Sequence, residues 1–157
     1  MSKIIYFEEE CRILTNINWC IQNPINTIPN LKNLLILEGY PFIIIYFQID
    51  RDGFLDSVPR KYQGNLDFKN PEDWEFTAAD ILQHIHRFYS APLNEDSLEK
   101  LAETSDTWGY NKLAQKALEN STVLYQYEVM GKTLNFQGLE FREIEEGIPA
   151  FDILLEH

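Results

Sequence analysis

The stretch Trp74–Leu93, WEFTAADILQHIHRFYSAPL, constrains this chain more than any other. Thr77 suits a helix N-cap. Asp80, three residues on, completes a capping-box pattern with Asp in place of the usual Glu or Gln. Phe76 and Ile81 are spaced as a hydrophobic staple. At about 100° per residue, Ala78, Ile81, Leu82, Ile85, Phe88 and Tyr89 share one face, and Pro92 stops the helix. The expectation is an amphipathic helix at a junction, with a strand-like, nearly neutral segment before it and an acidic one after it.

Upstream, Lys3–Phe7 reads as a first strand. Cys11–Ile21 fits a strand, with Cys11, Ile13, Thr15, Ile17, Trp19 and Ile21 on one face. It also fits a helix with a stripe of Ile13, Leu14, Ile17, Cys20 and Ile21. Three Ile, a Thr and two Asn favour the strand. Asn23–Asn30, with two prolines and three Asn, reads as a loop. Leu34–Glu38 and Phe42–Asp50, separated by Gly39-Tyr40-Pro41, suggest a hairpin or tight turn. Ile43–Phe47 is apolar on both faces, which predicts a central strand covered on both sides. Arg51-Asp52-Gly53 reads as a turn and Asp56–Asp73 as a surface loop.

Downstream, Asn94 caps a second helix running to about Thr104, with Leu93 and Leu98 as its staple. Asp106 caps a third, Thr107–Glu119, with Tyr110, Leu113, Ala114, Ala117 and Leu118 inward. Val123–Met130 alternates as a strand, and Gly131-Lys132 fits a hairpin turn into a return strand, Leu134–Glu143, with Gly138 as a bulge. Glu145-Glu146-Gly147 turns the chain into a last strand, Ala150–Leu155. The fold class read from this order is α+β: a β-rich antiparallel start, two or three central helices, then a C-terminal antiparallel hairpin and a final strand. One domain spans residues 1–157. Leu155-Glu156-His157 reads either as the start of a tag or, for Leu155, as the end of the last strand.

The formal charge is −12, and it is unevenly placed. Residues 1–69 carry 8 acids and 7 bases, whereas residues 70–157 carry 17 acids and 6 bases. That balance argues against nucleic acid as a direct ligand and suits a basic protein partner. No apolar run nears the roughly 18 residues of a membrane span. MSKIIYFEEE lacks a signal-peptide pattern, so a cytoplasmic location is expected, with Cys11 and Cys20 reduced.

Motifs for chemistry are weak. His84-Ile85-His86 would converge on a strand. On a helix, residues two apart point about 200° apart, so the pair flanks the apolar stripe and no metal is expected. Cys11 and Cys20 read as inert strand positions. No phosphate-binding glycine loop and no G-x-S-x-G occurs. Asp50, Asp52 and Asp56 around Gly53 depart from a calcium loop and read as a turn with solvated acids. No catalytic residue, cofactor or metal site is assigned.

Aromatics among acids carry the functional reading. Glu72, Asp73, Trp74 and Glu75 form one group, Asp106 and Trp108 a second, and Tyr125, Tyr127 and Glu128 a third, the two tyrosines sharing a strand face. Rigid rings inside a negative field are what a surface for a basic protein needs.

Thr77-x-x-Asp80-Ile81-Leu82, Phe88-Tyr89-x-x-Pro92-Leu93, Met130-Gly131, Phe136-x-Gly138-Leu139 and Phe151-x-Ile153-Leu154 resemble segments of an uncharacterised family from large DNA viruses. The likeness runs from residue 67 onward and implies a fold but no mechanism. In size and charge alone, the chain resembles immunity proteins of bacterial toxin systems. The expected function is therefore a non-enzymatic acidic binding module, specifically an immunity protein or inhibitor that neutralises a basic toxin such as a nuclease. The alternatives are a viral structural or host-interaction protein and an enzyme with an unrecognised carboxylate site.

Overall fold

The structure is a computed structural model. It describes residues 11–28, 35–38, 40–51, 55–64, 75–103 and 109–156. The strand expected at Lys3–Phe7 lies outside them.

The fold is α+β. Its main sheet holds β1 (Arg12–Ile13), β2 (Trp19–Cys20), β4 (Phe42–Phe47), β5 (Val58–Gln63), β7 (Asn135–Glu145) and β8 (Ile148–Glu156). The order is β1-β7-β8-β4-β5, with β2 also on β7. The β4–β8 pair is parallel and every other pair is antiparallel. A second, two-stranded sheet joins β3 (Leu35–Glu38) to β6 (Glu75–Thr77). The helices are α1 (Ala78–Ser90), α2 (Glu95–Glu103) and α3 (Tyr110–Asn120).

Helix α1 begins as its caps dictate. The Thr77 hydroxyl accepts from Asp80 N at 3.2 Å, and the Asp80 carboxylate accepts from Thr77 N at 3.4 Å. Its stripe of Ala78, Ile81, Leu82, Ile85 and Tyr89 is buried. It packs with Ile43, Ile45 and Phe47 of β4 and with Phe136, Phe151 and Ile153 of the β7–β8 hairpin. Phe88 stacks face to face on Phe47 at 3.9 Å, and the Tyr89 hydroxyl donates to Gln48 O at 2.8 Å. A separate apolar cluster lies under α2 and α3, built on Leu93, Leu98, Leu101, Ala114, Ala117, Leu124 and Val129. Asn94 caps α2 by accepting from Ser97 N at 2.8 Å.

The C-terminal hairpin follows its turn chemistry. Glu146 and Gly147 have φ of +52° and +80°, the left-handed pair a two-residue β-turn requires. Gly138 has φ +120° and marks a shift of register against β8. A Cβ there would lie 2.8 Å from Ile13 O, so glycine lets β1 approach.

Several sequence expectations are corrected. Leu34–Glu38 and Phe42–Asp50 do not pair with each other: β3 pairs with β6, and β4 lies between β5 and β8. The apolar run of β4 gains more from two flanking strands than from one hairpin partner. Only one face of β4 is fully buried. Phe42, Ile44 and Tyr46 on the other are half-exposed, with Lys61 Nζ 4.3 Å from the Phe42 ring and Arg142 Cζ 4.0 Å from the Tyr46 ring. Asp56–Asp73 is not all loop, because Val58–Gln63 is the terminal strand of the main sheet. Pro59 and the charges that disguise it are what an edge strand tolerates. Val123–Met130 is not a strand. Gln126–Val129 forms a 3₁₀ turn that sends Val129 into the helical cluster and Met130 into the main one. Gly131 still has positive φ (+58°), in a turn closed by Thr133 N to Met130 O, but it does not join two strands. In α3, Leu113 faces outward, 44% exposed.

Cys11–Ile21 is extended only at its ends. Leu14, at φ +58°, breaks it into β1 and β2. Among the described residues, no helix is long and apolar enough to cross a membrane.

Candidate functional site

The two histidines of α1 diverge, as helical spacing requires. His86 Nδ1 lies 3.0 Å from Ile21 O, so that nitrogen carries the proton and donates. His84 points to the other flank and stacks on Tyr62 of β5, with ring centroids 4.2 Å apart and planes within 17°.

That flank forms one wall of a cleft of about 540 Å³. Residues 84, 87 and 88 are neighbours on one helical face, which brings His84, Arg87 and Phe88 together. The opposite wall is β5. The register sets Val58 opposite Phe47, Arg60 opposite Ile45 and Tyr62 opposite Ile43. These three therefore share the face of the sheet that α1 covers. Ile49, Leu93 and Gln126 are buried at the bottom, and Arg60 and Arg87 are exposed at the mouth. The Arg60 guanidinium lies 5.9 Å from the Phe88 ring. Both Arg60 and Arg87 line the cleft, and among the described residues no Asp or Glu does.

Two groups titrate abnormally here. The Tyr62 hydroxyl is pushed up to about 12 by burial, against an opposing effect from Arg60. His84 is lowered by burial and then by Arg87, with Asp80 acting the other way, so its imidazole is neutral at neutral pH.

Tyr125, Tyr127 and Glu128 come together, though not on a strand. The two rings stack at 6.1 Å with planes 12° apart, and Glu128 Oε2 accepts from Tyr125 N at 2.7 Å. Tyr125 is 41% exposed and Val123 61% exposed, whereas Tyr127 leans on the main core. The segment runs beside the end of α1: Leu93 N donates to Leu124 O and Gln126 N to Ala91 O. It thus forms a shoulder next to the cleft. Glu75 is half-buried on β6. Glu72, Asp73, Trp74, Asp106 and Trp108 lie outside the described residues.

Cys11 and Cys20 are free thiols, each half-buried, Cys11 just before β1 and Cys20 at the end of β2. Asp50 is buried, and its Oδ1 accepts from Leu55 N at 3.2 Å; it is a structural turn residue and not a solvated acid. On the outer face of the sheet, Arg12 pairs with Glu140 at 2.9 Å and Arg142 with Asp152 at 3.0 Å. The Tyr46 hydroxyl donates to Glu145, which raises its pKa. Exposed pairs of this kind contribute about 0–1 kcal/mol.

The cleft was missed in the sequence because its walls come from distant segments. Two signals were present: the alternation Val58, Arg60, Tyr62, and the spacing of His84, Arg87 and Phe88 on a predicted helix.

Comparison of the chain with protein-family models, with curated proteins and with solved structures finds no match.

Proposed function

We propose that this is a non-catalytic binding protein that engages a basic protein, in the manner of an immunity protein blocking a basic toxin such as a nuclease. The observation that carries the reading is the stacked pair Tyr125–Tyr127, with an exposed ring beside Glu128 in the acidic part of the chain. A ring held by stacking loses little side-chain freedom on binding, and a negative surface steers a cationic partner. The excess of acids after residue 70 supports the sign of that partner.

The experiment is affinity capture from the native host with the full chain, at rising salt. The expected partner is a basic protein whose association weakens as salt is added. Tyr125→Ala is expected to weaken it at least about tenfold while the chain stays folded. Capture of no basic protein, or binding indifferent to salt and to Tyr125→Ala, overturns the proposal.

A further inference from the structure

The cleft between β5 and α1 has the opposite character to the surface just described. We propose that it is a binding site for a small planar organic anion, an aromatic ring carrying a carboxylate or a phosphate group. The proposal is independent of the basic-partner reading: it concerns different residues and a ligand of opposite charge.

Size permits it, since about 540 Å³ falls within the ~300–1,000 Å³ of small-molecule sites. Shape and polarity define the ligand further. Ile49 and Leu93 are buried at the bottom, and Phe88 and the Tyr62–His84 stack present ring surfaces along the sides. One face of Phe88 is taken by Phe47, and the Arg60 guanidinium stands 5.9 Å from its centroid. A flat ring entering here meets mainly apolar and aromatic surface, with the polar Gln126, Asn94 and Ser97 among the lining.

The charge is more telling. Arg60 occupies a strand position that faces the helix, in line with Val58 and Tyr62, where an apolar residue would bury more surface. Arg87 lines the same cleft from the helix, and no carboxylate does so among the described residues. In a chain of net charge −12, this sets two arginines on the walls of one cleft, with no acid among its described lining residues. Guanidinium forks match carboxylate and phosphate oxygens in a bidentate geometry. His84, neutral at neutral pH, contributes ring surface and one N–H donor without adding charge.

The test is an amide-resolved NMR titration of the full chain with two probes, indole-3-acetate and adenosine 5′-monophosphate. Indole, adenosine and inorganic phosphate serve as controls. At least one anion should shift the amides of Arg60, Tyr62, His84 and Arg87 saturably. Its neutral counterpart and inorganic phosphate should bind at least about tenfold more weakly. Which anion responds separates a carboxylate ligand from a phosphate one. Arg87→Gln, at an exposed helix position, should weaken binding about tenfold, and Arg60→Gln similarly. The proposal is overturned if neither anion shifts these amides, if a neutral compound or inorganic phosphate binds as well, or if the Arg60→Gln/Arg87→Gln double variant binds undiminished. Self-association of Arg60→Gln with unchanged anion affinity also overturns it, because Arg60 would then only guard the strand edge.

Discussion

The cleft and the tyrosine shoulder are neighbours of opposite character. The cleft belongs to the main core: β5 and α1 form its walls, Phe47 packs behind Phe88, and among the described residues its charged side chains are two arginines. The shoulder belongs mainly to the helical cluster, which holds Leu124 and Val129, and its charge is the Glu128 carboxylate. They meet where Gln126 Nε2 donates to Ile49 O at 2.6 Å. The contrast teaches that net charge describes the field far from the molecule, whereas a site is defined by the few side chains that particular backbone positions bring together.

Three measurements bear on that contrast. The largest expected effect is in the two cores. Phe47 touches Tyr62, Phe88 and Tyr89, so Phe47→Ala should cost about 3–5 kcal/mol in urea unfolding and loosen the Phe88 and Tyr62 rings that line the cleft. Leu101→Ala, in the helical cluster, should cost about 2–5 kcal/mol and leave the Tyr62–His84 ring shifts in NMR spectra unchanged. If each substitution disturbs the other region equally, the two regions are one unit and the contrast fails.

A smaller effect is expected at the seam. Gln126 is buried, so Gln126→Leu leaves Ile49 O without its side-chain donor and should cost about 1–3 kcal/mol. Hydrogen exchange should then show the cleft and the shoulder opening independently.

The smallest effect is in the pH profile. Below pH ~6.5 the unfolded chain protonates His84 before the folded one does, so stability falls as pH drops towards the lowered folded value. Above pH ~10 the unfolded chain ionises Tyr62 while the folded chain holds its proton. Stability present below that pH is therefore lost as pH rises through about 12. Tyr62→Phe should flatten the alkaline limb of the urea midpoint against pH and leave the acid limb in place. It should not abolish the alkaline limb, because burial also holds Tyr89 well above its ordinary value. An unchanged alkaline limb would mean that Tyr62 is not buried against the cleft wall in solution.

Much of the helical part was legible because its signals are local. The Thr77–Asp80 capping box, the Asn94 cap and the Pro92 stop depend on residues a few positions apart, and each stands where the spacing placed it. The strand-rich part was less legible. Val58–Gln63 carries a proline and two cations, and only its place beside β4 makes it a strand. Val123–Met130 alternates convincingly, yet two cores claim its residues and the chain turns to serve both. Tyr125 and Tyr127 share a side, but through a 3₁₀ turn and stacking and not through strand alternation.

The sequence by itself determined where α1 starts and stops, that its histidines part company, and that Gly138 and Gly147 bend the C-terminal hairpin. These follow from hydrogen bonds, steric limits and periodicity within a few residues. Only the tertiary structure decided that β4 lies between β5 and β8 and that Arg60 and Arg87 line one cleft in an acidic chain. Which strands become neighbours depends on how distant apolar faces share one buried volume, and no local preference encodes that.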